Sequence, residues 1–221
     1  MTTNRHSGIR DRIAPVDPYR LGCFGGPVDF IFVTLLFLVR LAEMFFLRME
    51  AVAFDCFGTV FDMTPVPRED IAKYVEHVRS SDFTEYEFPA SWMDLKAHPD
   101  SAEGIKMIQD LGIKCVALSN GSRELIRHLA KQNGFEFDHV VSLAAHKVYK
   151  PRRDAYFTVQ KDLGIDTDKT LMVTANPTFG DIEGALSVGM PAIVIRNSSM
   201  IQTIVDLAKG IAQIKQTMQA Q

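Results

Sequence analysis

Asp55 lies in the segment FDCFGTVFD, residues 54–62, directly after the apolar run Ala51–Phe54. A carboxylate is already ionised at neutral pH, so it can attack an electrophilic carbon or phosphorus without first losing a proton. Three further sets of polar residues stand in equivalent places. Ser119, Asn120 and Gly121 follow the run Cys115–Leu118, Lys147 and Lys150 follow Val140–Leu143, and Asn176 and Asp181 follow Leu171–Thr174. Hydroxyl groups, amides and the N–H groups that open a helix can hold a substrate anion. A lysine between two carboxylates favours their ionised forms. The Thr59 hydroxyl can orient the Asp55 carboxylate, and Gly58 permits an unusual turn and a close backbone approach.

Each residue type also has a plainer use. Asp caps turns, Ser and Asn form loops, and a tyrosine such as Tyr156 packs a helix onto a core. Cys56, next to Asp55, reads as a small buried thiol. The shared placement argues for chemistry, because every set follows an apolar, β-rich run. A fifth such run is Ala192–Ile195, and helical patterns at Ser101–Leu111, Arg123–Asn133, Arg153–Leu163 and Asp181–Val188 lie between the runs. Gly134, Gly164 and Gly189 are stop signals for three of these helices. The alternation predicts an α/β fold with a doubly wound, Rossmann-like parallel sheet, whose ligands sit beyond the carboxyl ends of the strands. The polar sets therefore converge on one rim.

Four segments together resemble the ordered motifs of the haloacid dehalogenase-like hydrolase superfamily. They are FDCFGTVFD, LSNGS (118–122), VYKP (148–151) and VTANPTFGDIEGA (173–185), and the resemblance runs from about Met49 to Ile195. It implies a Rossmann-like core with a helical cap insertion, small here and placed at about 63–97. It also implies a covalent ester on Asp55. The catalytic set it implies is Asp55, Thr59, Ser119, Lys150 and Asp181, and the substrate-binding set is Phe57, Asn120, Gly121, Tyr156 and Asn176.

The first motif is closest to that of the 2-haloacid dehalogenases, which carry an aromatic residue two positions after the nucleophile. Phosphatases of the superfamily carry there an Asp that protonates the leaving alkoxide. Phe57 cannot donate a proton, and a halide leaving group needs none. Asn176 stands where magnesium-dependent members have an Asp, which weakens a hard-cation site. Two features depart from the dehalogenase pattern. Asp181 lies five residues after Asn176, the phosphatase-like spacing, and the segment between Asp62 and His98 is short. Arg68 and Arg79 could supply a cation there, and Tyr74, Phe83, Tyr86, Phe88 and Trp92 an aromatic wall, but none maps onto the family's halide-binding arginine. Three readings stay open: a metal-independent dehalogenase, a magnesium-dependent phosphatase with Asp55 and Asp181 on the metal, and a degenerate binding protein.

Bulk properties bound the rest. The 221 residues, 47% of them apolar and 23% charged, suit one α/β domain with accessories. A formal net charge of −3 provides no basic field for nucleic acid. The resemblance implies a small, anionic substrate as the partner. No cofactor is expected, with magnesium as the alternative. The three cysteines are widely separated and have no zinc spacing, which points to a reducing, cytoplasmic setting. Residues 1–48 read as an extension, accessory or from a misassigned start, ahead of a domain at 49–221. Its apolar stretch within residues 28–47 is interrupted by Arg40 and Glu43, so a membrane anchor is the less favoured reading.

Overall fold

Four residues of β1, Ala51–Phe54, are almost wholly buried and form the middle of a five-stranded parallel sheet. Their side chains alternate between two cores, as the period of a strand requires. Val52 and Phe54 point into one core, and Ala51 and Ala53 into the other. The other strands are β2 (Lys114–Ala117), β3 (His139–Val140), β4 (Thr170–Thr174) and β5 (Ala192–Val194), in the order β3-β2-β1-β4-β5. The chain winds outward from β1 through β2 to β3, then crosses back to β4 and β5. This reversal puts the switch point of the sheet at β1, where the fold class places its ligands. The computed structural model describes residues 48–80, 83, 84, 86–99 and 101–195.

The helices are α1 (Arg68–Ser80), α2 (Ala90–Met93), α3 (Ser101–Asp110), α4 (Arg123–Gln132), α5 (Arg153–Leu163) and α6 (Asp181–Leu186). Ile105 and Ile108 of α3 and Leu125, Ile126 and Leu129 of α4 pack with Val52 and Phe54 on one face of the sheet. Tyr156 and Val159 of α5 and Ala185 of α6 pack with Ala51 and Ala53 on the other. Gly164 closes α5 in the left-handed conformation, the stop that its position implied.

One strand differs from expectation. Val140, Val141 and Leu143 are apolar and buried, but the ladder with β2 covers only His139 and Val140. The strand is at the sheet edge. After one more bond, from Val141 N–H to Ala117 O at 3.0 Å, the chain turns away and buries Leu143 in the second core without a partner strand. Apolar runs mark burial, and burial does not require a ladder.

The expectations for residues 28–47 and for the extension up to residue 47 lie outside the described residues. Among the described residues, no helix is long and apolar enough to cross a membrane.

Candidate active site

Asp55 is the first residue beyond β1, tied to β4 by its N–H to Val173 O at 2.9 Å. The chain then curls tightly, because Cys56 O accepts from the N–H groups of Thr59, Val60 and Phe61 at 3.3, 2.8 and 2.9 Å. Gly58 makes the curl with φ at 80°, and a Cβ there would lie 3.3 Å from Asn176 Nδ2. Only glycine meets both conditions without strain. The curl returns Thr59 to Asp55, so that Thr59 Oγ1 donates to Asp55 Oδ2 at 3.0 Å. The same hydroxyl accepts from Ala175 N–H at 2.8 Å, which joins the loops after β1 and β4.

Lys150 bridges the two carboxylates. Its Nζ donates to Asp55 Oδ1 at 2.7 Å and to Asp181 Oδ2 at 3.1 Å. Asp181 also accepts from Tyr156 OH at 3.0 Å and from Thr174 Oγ1 at 3.2 Å. Asn176 Nδ2 donates to Asp55 Oδ2 and to Phe57 O, both at 3.0 Å. Asp55, Thr59, Ser119, Lys150 and Asp181 are all buried.

One cation thus serves two buried carboxylates, which leaves the cluster one negative charge in excess. Burial alone would lower the Lys150 pKa, but Asp55 and Asp181 outweigh it and hold the ammonium above the ordinary lysine range. The Asp181 carboxyl is pushed above its usual value, first by burial and also by Asp55, with Lys150 opposing. Asp181 therefore binds a proton more readily than a free carboxylate. Burial, then Asp181, raises the Tyr156 phenol, which stays neutral and remains a donor.

A magnesium ion between Asp55 and Asp181 does not fit this set. The oxygens it would need accept from Lys150 Nζ, and Asn176 presents its NH2 group to a third carboxylate-side oxygen and to Phe57 O. Both Asn176 partners are acceptors, so the amide nitrogen must be the end that faces them. Hard cations need converging oxygens, and here N–H donors converge.

A pocket of about 540 Å³ opens beside these groups. Its strand-side lining includes Asp55, Phe57, Ser119, Asn120, Lys150, Asn176 and Asp181, so most of the residues expected at the site meet there. Two do not line it. Tyr156 is wholly buried and reaches the site only through Asp181. Gly121 lies beneath Phe57, where a Cβ would come within 2.6 Å of the ring. The Asn120 side chain lines the pocket but is engaged with the Lys150 backbone, accepting from its N–H at 2.8 Å and donating to its carbonyl at 3.2 Å. It positions the lysine loop.

The opposite wall comes from Ile71, Tyr74, Val75 and Val78 of α1, with Arg79 and Trp92. The spacing 71, 74, 75, 78 is one helical face, a sequence signal for α1. Of the two arginines considered, Arg79 lines the pocket and Arg68 does not, while Phe83, Tyr86 and Phe88 line a separate cavity.

Gly121→Ala tests the packing of Phe57. The ring has Trp92 and Phe88 at centroid distances of 4.9 and 6.0 Å, so it cannot move aside freely. Urea unfolding should show a loss of about 1–3 kcal/mol. An unchanged midpoint would mean that the ring has another place to go.

The model of the haloacid dehalogenase-like hydrolase family matches residues 68–189, more than half of the chain. The chain belongs to that family. The chain is 26% identical over 113 residues to a (S)-2-haloacid dehalogenase of Pseudomonas putida, covering 50% of each chain. It is 31% identical over 100 residues to a haloacetate dehalogenase of Moraxella sp., covering 44% of each. The chain thus spans about half the length of the curated relatives it matches. Its fold matches the L-2-haloacid dehalogenase of Xanthobacter autotrophicus with chloropropionic acid covalently bound, at a TM-score of 0.55 and 22% identity, over 66% of this chain and 77% of that one. A dehalogenase solved as an intermediate complex matches at 0.59 and 18%, over 67% and 85%.

Proposed function

We propose that this hydrolase cleaves the carbon–halogen bond of short 2-haloacids through an ester on Asp55, without a metal. The observation that carries the reading is Phe57. It lines the pocket two residues after the carboxylate, where a phosphatase needs a proton donor. The sequence likeness to enzymes named as haloacid and haloacetate dehalogenases supports the same reaction.

In the first step an Asp55 oxygen donates an electron pair to C2 of the substrate, a C–O bond forms, and the C–X bond breaks with its pair leaving on the halide. Oδ2 accepts two hydrogen bonds and Oδ1 one, so Oδ1 keeps the more available lone pair. In the second step water attacks the Asp55 Cγ. Its proton passes to Asp181, whose raised pKa makes it a stronger base than a free carboxylate. The bond from Cγ to the ester oxygen breaks, and the 2-hydroxyacid leaves after taking up a proton. Ser119, which lines the pocket, holds the substrate carboxylate. Lys150, Thr59 and Asn176 fix the nucleophile, and Tyr156 orients Asp181.

The purified protein should release halide from 2-chloropropionate at the same rate with magnesium or with a chelator. A phosphate ester should give no magnesium-dependent turnover. Absence of halide release from a panel of short haloacids by the folded protein would sink the reading. Phosphate release that requires magnesium would favour the phosphatase instead.

A further inference from the structure

The pocket beside Asp55, at about 540 Å³, is within the range of small-molecule sites. It is far larger than the shortest acids need. 2-Chloropropionate has three carbons, two oxygens and one chlorine. At about 30 Å³ per atom, the share of one water in the liquid, it would fill roughly a third of the space. The remainder has no part in the reaction of such an acid.

That remainder is apolar. Ile71, Val75 and Val78 line it from α1, Met63 from the loop before that helix, and Phe179 from the turn after β4. The first four are part-exposed and Phe179 is 57% exposed, so all five keep accessible apolar surface. Met63, Ile71 and Val78 also pack on the core, whereas Val75 is not among the core contacts of the described residues. The outer face of α1 carries Glu69, Lys73 and Glu76, all exposed. Its apolar face would ordinarily be sealed against the core, and here it fronts the pocket instead. Asp55 and Ser119 stand in the same cavity, so whatever lies along this wall is continuous with the group that Asp55 attacks. A sugar or nucleotide there would bury hydroxyl groups against side chains that offer no hydrogen bond, whereas methylenes gain from the contact.

We propose that the preferred substrate is a 2-haloacid with a linear apolar tail, roughly six to ten carbons in all, whose tail lies along Met63, Ile71, Val75 and Val78. The assignment rests on the dehalogenase reading above and names the substrate class of that site. With its carboxylate and halogen such an acid takes roughly 270–390 Å³ at the same share per atom, which the pocket accommodates. Short acids still react, because C2 and the carboxylate are held at the strand rim. The tail touches none of the reacting atoms and adds binding alone, so its effect belongs in KM.

The test is a chain-length series on the full chain. Halide release is measured with 2-bromopropionate, 2-bromohexanoate and 2-bromooctanoate, and binding of propionate and octanoate by calorimetry. A fully buried methylene is worth about fourfold in affinity, so five of them along a wall open to solvent should lower KM at least tenfold, with kcat little changed. Val75→Phe fills the cleft and Val75→Asn makes the same surface polar, and in either the eight-carbon acid should lose most of its advantage over the three-carbon one. Melting curves show which variant is folded. A KM that does not fall with chain length overturns the proposal whatever the variants do, and so does an advantage that a folded variant leaves intact. A flat series together with a dimer in light scattering would assign the wall to a second copy of the chain. Turnover of 2-bromopropionate with a flat series leaves the dehalogenase reading standing. Octanoate binding at least tenfold tighter than propionate and weakened by Val75→Asn, without halide release from any of the acids, supports the tail cleft and sinks the dehalogenase reading.

Discussion

Asp55→Asn should abolish turnover, with a loss on the order of 10⁴-fold or more, while the protein remains folded. The carboxylate is the group that forms the ester in the proposed mechanism, and a neutral amide is a far weaker nucleophile. The geometry limits the structural cost. Asp55 Oδ1 faces the Lys150 ammonium, and Oδ2 faces the Thr59 hydroxyl and the Asn176 amide. An asparagine must turn its own NH2 group toward one of these donors, so it loses hydrogen bonds but fills the same space. Lys150 keeps Asp181 as a counter-ion. A melting curve shows whether the variant is folded, and halide release shows whether it turns over. A second measurement separates attack by Asp55 from attack by water. Single turnover in heavy-oxygen water should label the Asp55 carboxylate, because water adds to Cγ and the product takes its oxygen from the enzyme. Label in the product alone would mean that water attacks the substrate carbon directly. Full activity in a folded Asp55→Asn would end the nucleophile assignment.

The residues behind this prediction were legible because strand ends are legible. Apolar runs of four residues marked β1, β2, β4 and β5 to within one residue, and the polar residues after them had only one rim to occupy. The edge strand was less legible, since the pattern of Val140–Leu143 reports burial and cannot say that pairing stops after Val140. Side-chain direction was also hidden. The resemblance implies that Tyr156 and Gly121 bind substrate, yet one is sealed behind Asp181 and the other lies beneath Phe57. Which partner a polar group meets depends on packing between distant segments. Thr174 shows this well: its hydroxyl donates to Asp181 and accepts from Asn176 N–H, a role that no spacing rule would assign. The wall from α1 could have been found from the helical spacing of Ile71, Tyr74, Val75 and Val78.

Lys150→Met should be inactive and should lose about 3–5 kcal/mol of stability at neutral pH, the usual result of stripping one partner from a buried ionic cluster. The methionine keeps most of the stem volume, so the loss is electrostatic. Asp55 and Asp181 would then face each other with no cation between them. The pH dependence gives the sharper test. In the wild type, the folded pKa of Lys150 lies above its ordinary value of 10.5. Its contribution is therefore fully present below that value and is lost as pH rises through the higher folded value. Asp181 is also raised, from an ordinary 3.8. Its protonated form is the one that folding favours, so its contribution is present at acid pH and is lost as pH rises through its folded value. Removing Lys150 takes away an influence that lowers the Asp181 pKa, so that pKa rises further in the variant. The variant should then gain stability relative to the wild type as pH falls from neutral toward the carboxylate range, when Asp181 takes up a proton and the repulsion is relieved. The gap should narrow again at strongly alkaline pH, where the wild type loses its own lysine charge. Urea midpoints of both proteins across a pH series would trace this shape. A gap that stays constant with pH would mean that Lys150 stabilises the fold by packing, and that the two carboxylates do not depend on its charge.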